Sequence, residues 1–234
     1  MKRCFSFAAG LLYVLSAATL LFYFVISLSP YLRFSPTGRI VCLGGSCLCL
    51  YLGSLLLAKT LLRERAAHVM KVTFAVMFAA YLLLLLTFTL FDTYFTRSGF
   101  SALRDADLET YRRYLREMTN FMPLRTIRGY LGVYGRNGVN TSIAVTNLAG
   151  NLLAFMPFAL FLPLLWKSAR RFWRFAVSMV LAAVLIETAQ FLLLTGSCDI
   201  DDVLLNAGGA CLFYGFLHIK PVRAVLNRIT VTPY

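Results

Sequence analysis

Charged side chains are scarce in this sequence, 14% of 234 residues, and acids are the scarcest, with ten Asp and Glu against 23 Lys and Arg. A soluble domain carries more charge and less apolar surface, so this shortage, with 59% hydrophobic residues and a mean hydropathy of +0.73, excludes one. Histidine is nearly absent. His68 lies in a basic connector and His218 at the end of the last apolar run, both away from the acidic residues, which removes histidine as their catalytic base. Of six cysteines only Cys198 falls clearly outside an apolar run or its flank, so no disulfide framework is implied, and Cys47 and Cys49 read as packing residues. The chain also lacks a serine-centred elbow, a phosphate-binding Gly-Lys loop and an HExxH pattern. The net charge of +13 is not a nucleic-acid signal, because the bases cluster at the ends of apolar runs instead of on a polar domain.

What the chain does have is apolar runs long enough to cross about 30 Å of hydrocarbon, roughly 20 residues each. They fall at residues 5–28, 40–58, 72–91, 146–166, 175–194 and 203–219. The expected fold is an all-α polytopic membrane helix bundle of about six transmembrane helices. It comprises a three-helix region (1–91), a long extracytoplasmic loop (92–145) and a second three-helix region (146–234), together one membrane domain. Gly44, Gly45 and Gly53 offer span two a small-residue surface for close packing, and residues 59–71 form a basic connector. Pro157 interrupts span four and Pro163 ends it. Within the long loop, residues 105–118 place Leu108, Tyr111, Leu115 and Met118 on one face, with Glu109, Arg113 and Glu117 on another. That amphipathic helix lies on the membrane surface or caps the bundle. The Asn140-Thr141-Ser142 sequon is read as a chance match.

Six spans put both termini on one side, which carries 13 Lys and Arg against 10 on the other. The short loops at 59–71 and 167–174 are dense in bases, and short loops decide orientation, so both termini are expected in the cytoplasm. Every unusual polar residue then falls on the outer face. Asn147 and Asn151 are four apart, Glu187 and Gln190 three apart, Asp202 and Asn206 four apart, so each pair projects from one side of its helix. Polar groups in hydrocarbon require partners, and the three pairs are expected to face one another around an outward-opening pocket. Glu187, roughly 12 Å below the outer end, is the candidate acid or base. A buried hydrogen-bond network that only holds the bundle together is the competing reading. Asp199, Asp201 and Asp202 suit helix capping, or alternatively a divalent cation; no other cofactor is expected.

The run NLAGNLLAFMPFALFLP, then ETAQ, then TGSCDIDDVLLNAGG resembles the VanZ-like family of bacterial membrane proteins, and NFMPLRTI at residues 120–127 is similar to that family's preceding segment. The resemblance covers residues 121–215. It implies an outer-face role in the bacterial cell envelope and lowered susceptibility to teicoplanin and related lipoglycopeptides. Membrane lipid, a lipid-linked cell-wall precursor or the lipophilic antibiotic would be the partner. Some relatives carry an arginine before the aspartate turn where Ser197 and Cys198 stand here, so any anion contact passes to Arg125 or Arg128. Two alternatives remain: a membrane enzyme using Glu187 with an aspartate-bound metal, and a proton-coupled carrier.

Overall fold

A computed structural model describes residues 2–28, 35–91, 106–133 and 141–230. Among them, six helical segments are long and apolar enough to span a membrane, and the chain is an all-α polytopic bundle. The loop at Pro30 and Arg33, the beginning of the segment between spans three and four from Asp92 to Asp105, and the sequon's Asn140 lie outside the described residues.

The chain forms two compact units. The first comprises residues 1–84 and 223–234, with α1 (Lys2–Leu28), α2 (Pro36–Ala58) and most of α3 (Arg63–Leu86). Ser35 caps α2 by accepting from the Gly38 amide at 3.0 Å, and Pro36 fills the first helical position, where no amide hydrogen is needed. Hydroxyls bind these helices together in place of hydrophobic contrast, which lipid cannot provide. Ser16 and Ser46 approach to 2.9 Å, Tyr13 and Ser54 to 3.0 Å, and Ser54 and Thr73 to 2.6 Å. Of the three glycines expected to mediate close packing, Gly53 does so, 3.3 Å from the Ala9 carbonyl as measured from the position a Cβ would take. A Cβ at Gly44 or Gly45 would meet nothing within 4 Å among the described residues, which corrects that expectation. The connector is also shorter than expected: α3 begins at Arg63 and carries the basic residues through Lys71 in its first turns.

The second unit, residues 85–222, holds Glu187, Asp199, Asp201 and Asp202. It opens with a π-turn, Thr87–Phe91, and continues through α4 (Leu108–Glu117), β1 (Thr119–Asn120), α5 (Arg125–Val133), α6 (Thr141–Ala154) and α7 (Met156–Leu165). Then come a 3-10 turn (Lys167–Arg170), α8 (Phe172–Leu192), β2 (Cys198–Asp199), α9 (Ile200–Leu217) and α10 (Lys220–Thr230), which runs into the first unit. Span four is two helices, α6 and α7, broken at the buried Phe155; Pro157 has no amide hydrogen to continue α6 and stands in the first turn of α7. Helix α8 ends in a Schellman motif, with the Thr195 amide donating to the Gln190 carbonyl at 3.0 Å and Leu194 at φ 50°.

Helix α4 starts where Asp107 accepts from the Thr110 amide at 2.8 Å and from its hydroxyl at 2.7 Å. Those two bonds hold the Asp107 carboxyl below the ordinary 3.8. A depressed pKa contributes stability that is complete above the ordinary value and lost as pH falls through the lowered one. Protection of the Thr110 amide, relative to its intrinsic exchange rate at the same pH, is therefore expected to fall under acid, and Asp107→Ala to show the lower protection already at neutral pH; unchanged protection in the variant would remove the cap. The side of α4 that packs also differs from the expected stripe: Tyr114 is buried, while Leu108, Leu115 and Met118 are exposed.

Candidate functional site

The turn between α8 and α9 is extended at Cys198 and Asp199, and it pairs in parallel with Thr119 and Asn120. This bridge carries the segment between spans three and four onto the acidic turn. Asp199 caps α9, its Oδ1 accepting from the Asp201 amide at 2.8 Å and from Asn120 Nδ2 at 2.8 Å. Its other oxygen accepts from the Thr126 hydroxyl, which itself accepts from Asn120 Nδ2 at 3.1 Å. Both Asp199 oxygens are thus engaged.

Asp201, with no exposed surface, is the buried centre of the arrangement. Its Oδ1 accepts from the Leu124 amide, and Oδ2 from the amides of Thr126 and Ile127 at 2.8 and 3.1 Å. These are amides that a helix start leaves without partners, so a carboxylate on α9 supplies the N-terminal cap of α5 from 75 residues away. Leu124 adopts φ 65°, a left-handed backbone unfavourable for leucine, and the Asp201 bond holds it there. Beneath, Glu187 is 7% exposed and its Oε2 accepts from the Asp199 amide at 2.9 Å.

A second branch runs along α6 and α9. Asn151 Nδ2 donates to Asp202 Oδ1, and Asn206 Nδ2 to the Asp202 carbonyl at 2.8 Å. One turn earlier on α6, the exposed Asn147 donates to the Tyr130 hydroxyl at 3.1 Å. Gln190 turns elsewhere: its Nε2 donates to the Thr89 carbonyl at 3.2 Å, an acceptor in the π-turn. Gln190 Oε1 and Thr195 Oγ1 are buried without hydrogen-bond partners among the described residues.

The expected constellation is therefore brought together in part. Glu187, Asp199 and Asp201 share one network, and Asn151, Asp202 and Asn206 form the adjoining branch. Asn147 joins α5 instead, Gln190 joins the π-turn, and Arg125 and Arg128 stand exposed on α5. Asn120, Thr126, Tyr130 and Thr89 were not expected as partners. The first two lie within NFMPLRTI, a segment singled out by resemblance alone. The three aspartates do not form the alternative cation set. Asp199 and Asp201 direct their oxygens at protein donors, and among the described residues no three His, Cys, Asp or Glu side chains are placed to hold a metal ion. Nor is Cys198 a ready nucleophile: burial, reinforced by Glu187, Asp199 and Asp202, pushes its thiol up, away from the thiolate.

The family model described as VanZ/LLP1 matches residues 78–221, more than half of the chain and every residue of this network. No curated protein and no solved structure matches.

Proposed function

We propose, from the premise that this chain belongs to the VanZ/LLP1 family, that it is a bacterial cell-envelope membrane protein with an outer-face site for a lipid-linked or lipophilic ligand. By engaging that ligand it lowers susceptibility to teicoplanin and related lipoglycopeptides. One observation carries the reading. The buried aspartate network fixes α5, and α5 and α6 present exposed donors, Arg125, Arg128 and Asn147, beside the half-buried Asn151–Asp202 pair. Two guanidinium groups suit a phosphate or carboxylate, and the amide suits hydroxyls. The distribution of lysine and arginine supports an outward site and cytoplasmic termini. In this reading Glu187 positions the acidic turn through the Asp199 amide, and Asp202 orients Asn151.

The test is teicoplanin susceptibility in a sensitive bacterial host, comparing empty vector, wild type and variants at matched membrane levels. Wild type is expected to protect. Each charge-assisted bond contributes about 1.5–3 kcal/mol, so Arg125→Gln with Arg128→Gln weakens ligand binding by at least about 100-fold and abolishes protection. Glu187→Gln retains protection, because the amide oxygen still accepts from Asp199. Full protection by the double arginine variant sinks the ligand site, and loss of protection by a well-folded Glu187→Gln shows the carboxylate's charge at work and sinks the positioning role.

A further inference from the structure

Helix α4 and the turn before α5 expose apolar side chains that a water-facing loop would keep covered: Leu108 is 66% exposed, Phe121 69% and Met122 64%. The position of this patch decides what covers it. Tyr114 packs edge-on against Phe191, ring centroids 6.0 Å apart, and Phe191 is the penultimate residue of α8, a candidate membrane span. A few residues later β1 is bonded to β2, immediately before α9, another candidate span. Two independent attachments therefore hold α4 and the turn at the ends of membrane helices, the depth at which hydrocarbon gives way to headgroups.

The charge pattern names the lipid. Arg112 follows Leu108 by four residues and precedes Leu115 by three, and Arg116 follows Arg112 by four, so two exposed arginines line one edge of the apolar stripe of α4; Arg125 and Arg128 follow the turn beyond Met122. An arginine placed this way extends its guanidinium toward phosphate while its stem and the neighbouring leucine lie on acyl chains. We infer that the surface formed by Leu108, Leu115, Phe121 and Met122, with Arg112, Arg116, Arg125 and Arg128 at its border, seats α4 and the turn before α5 in a bilayer interface bearing anionic phospholipid. The inference stands apart from the antibiotic phenotype and does not depend on which side faces the cytoplasm.

The experiment places a single tryptophan in the full-length chain, Phe121→Trp with Trp166→Phe and Trp173→Phe, which replace the two native tryptophans. The protein is reconstituted in phosphatidylcholine vesicles with and without phosphatidylglycerol. The expected emission is blue-shifted, quenched by lipids brominated high on the acyl chain and shielded from aqueous iodide. Quenching increases with phosphatidylglycerol, and the glutamine variant of the four arginines loses that increase, since each basic residue contributes roughly fivefold to anionic-lipid partitioning. Met122→Trp in the same background gives the same pattern and replaces the first probe should that variant fold poorly. Iodide quenching with red-shifted emission would make the segment a water-facing cap. Blue-shifted emission that brominated lipid does not quench would assign the patch to a second copy of the chain, and bromine quenching without phosphatidylglycerol dependence would remove the anionic specificity; each overturns the inference.

Discussion

Asp201→Ala is expected to release the start of α5 and lower stability by about 3 kcal/mol, a large share of a typical total of about 5–15 kcal/mol. Three amides lose their acceptor at once, and the left-handed Leu124 loses the bond that holds it. The magnitude is kept below the sum of three unsatisfied donors, because water reaches this partly buried helix start once the carboxylate is gone. Asp201→Asn recovers only part, since its amide nitrogen turns donor hydrogens toward donors. Trypsin supplies the local readout: Arg125 and Arg128 lie within the first turn released, so both variants are expected to be cut there faster than wild type, with the thermal midpoint in detergent falling in the same order. Wild-type protection in Asp201→Ala would mean that α5 holds its own N-terminus.

Gly209→Ala is the other severe change. A Cβ at position 209 would lie 1.9 Å from the Leu152 carbonyl oxygen and 2.8 Å from its carbonyl carbon. Both are backbone atoms, so no rotamer relieves the overlap, and α9 must separate from α6 along the face that also carries the Asn151–Asp202 bond. The expected cost is about 3 kcal/mol or more, at the upper end of overpacking. Gly208→Ala is its control: a Cβ there meets nothing within 4 Å, and alanine favours the helix by up to about 1 kcal/mol. Thermal unfolding of the two variants in one detergent decides the matter. Equal midpoints for Gly208→Ala and Gly209→Ala would refute the close approach of α9 to Leu152.

The spans were legible in the sequence because length and apolarity are sufficient signals for a helix in lipid. The clustering of Glu187, Asp199, Asp201 and Asp202 was legible for the opposite reason, since carboxylates stand out against hydrocarbon. Their partners were not. Asp201 bonds backbone amides at Leu124, Thr126 and Ile127, and an amide has no residue identity to read; Thr126 and Asn120 are ordinary loop residues until the bridge to Cys198 and Asp199 brings them in. The packed side of α4 escaped for a related reason. Leu108, Leu115 and Tyr114 are all apolar enough to pack, and hydropathy does not distinguish a side chain that meets protein from one that meets lipid. The position of the break in span four followed from Pro157, but the sequence did not show that Phe155 would be the buried residue at the break.

The two-residue bridge also orders events in time. Asn120 and Asp199 are 79 residues apart, so at about 5–20 residues per second the ribosome takes roughly 4–16 s to make the second strand after the first. Through that interval α4 and α5 exist without the turn that latches them, and the helices of spans four and five are made before the latch exists. Formation of the bridge and of the Asp201 cap on α5 is therefore a late step of biogenesis, and a chain arrested before Cys198 lacks both while its first five spans are already complete.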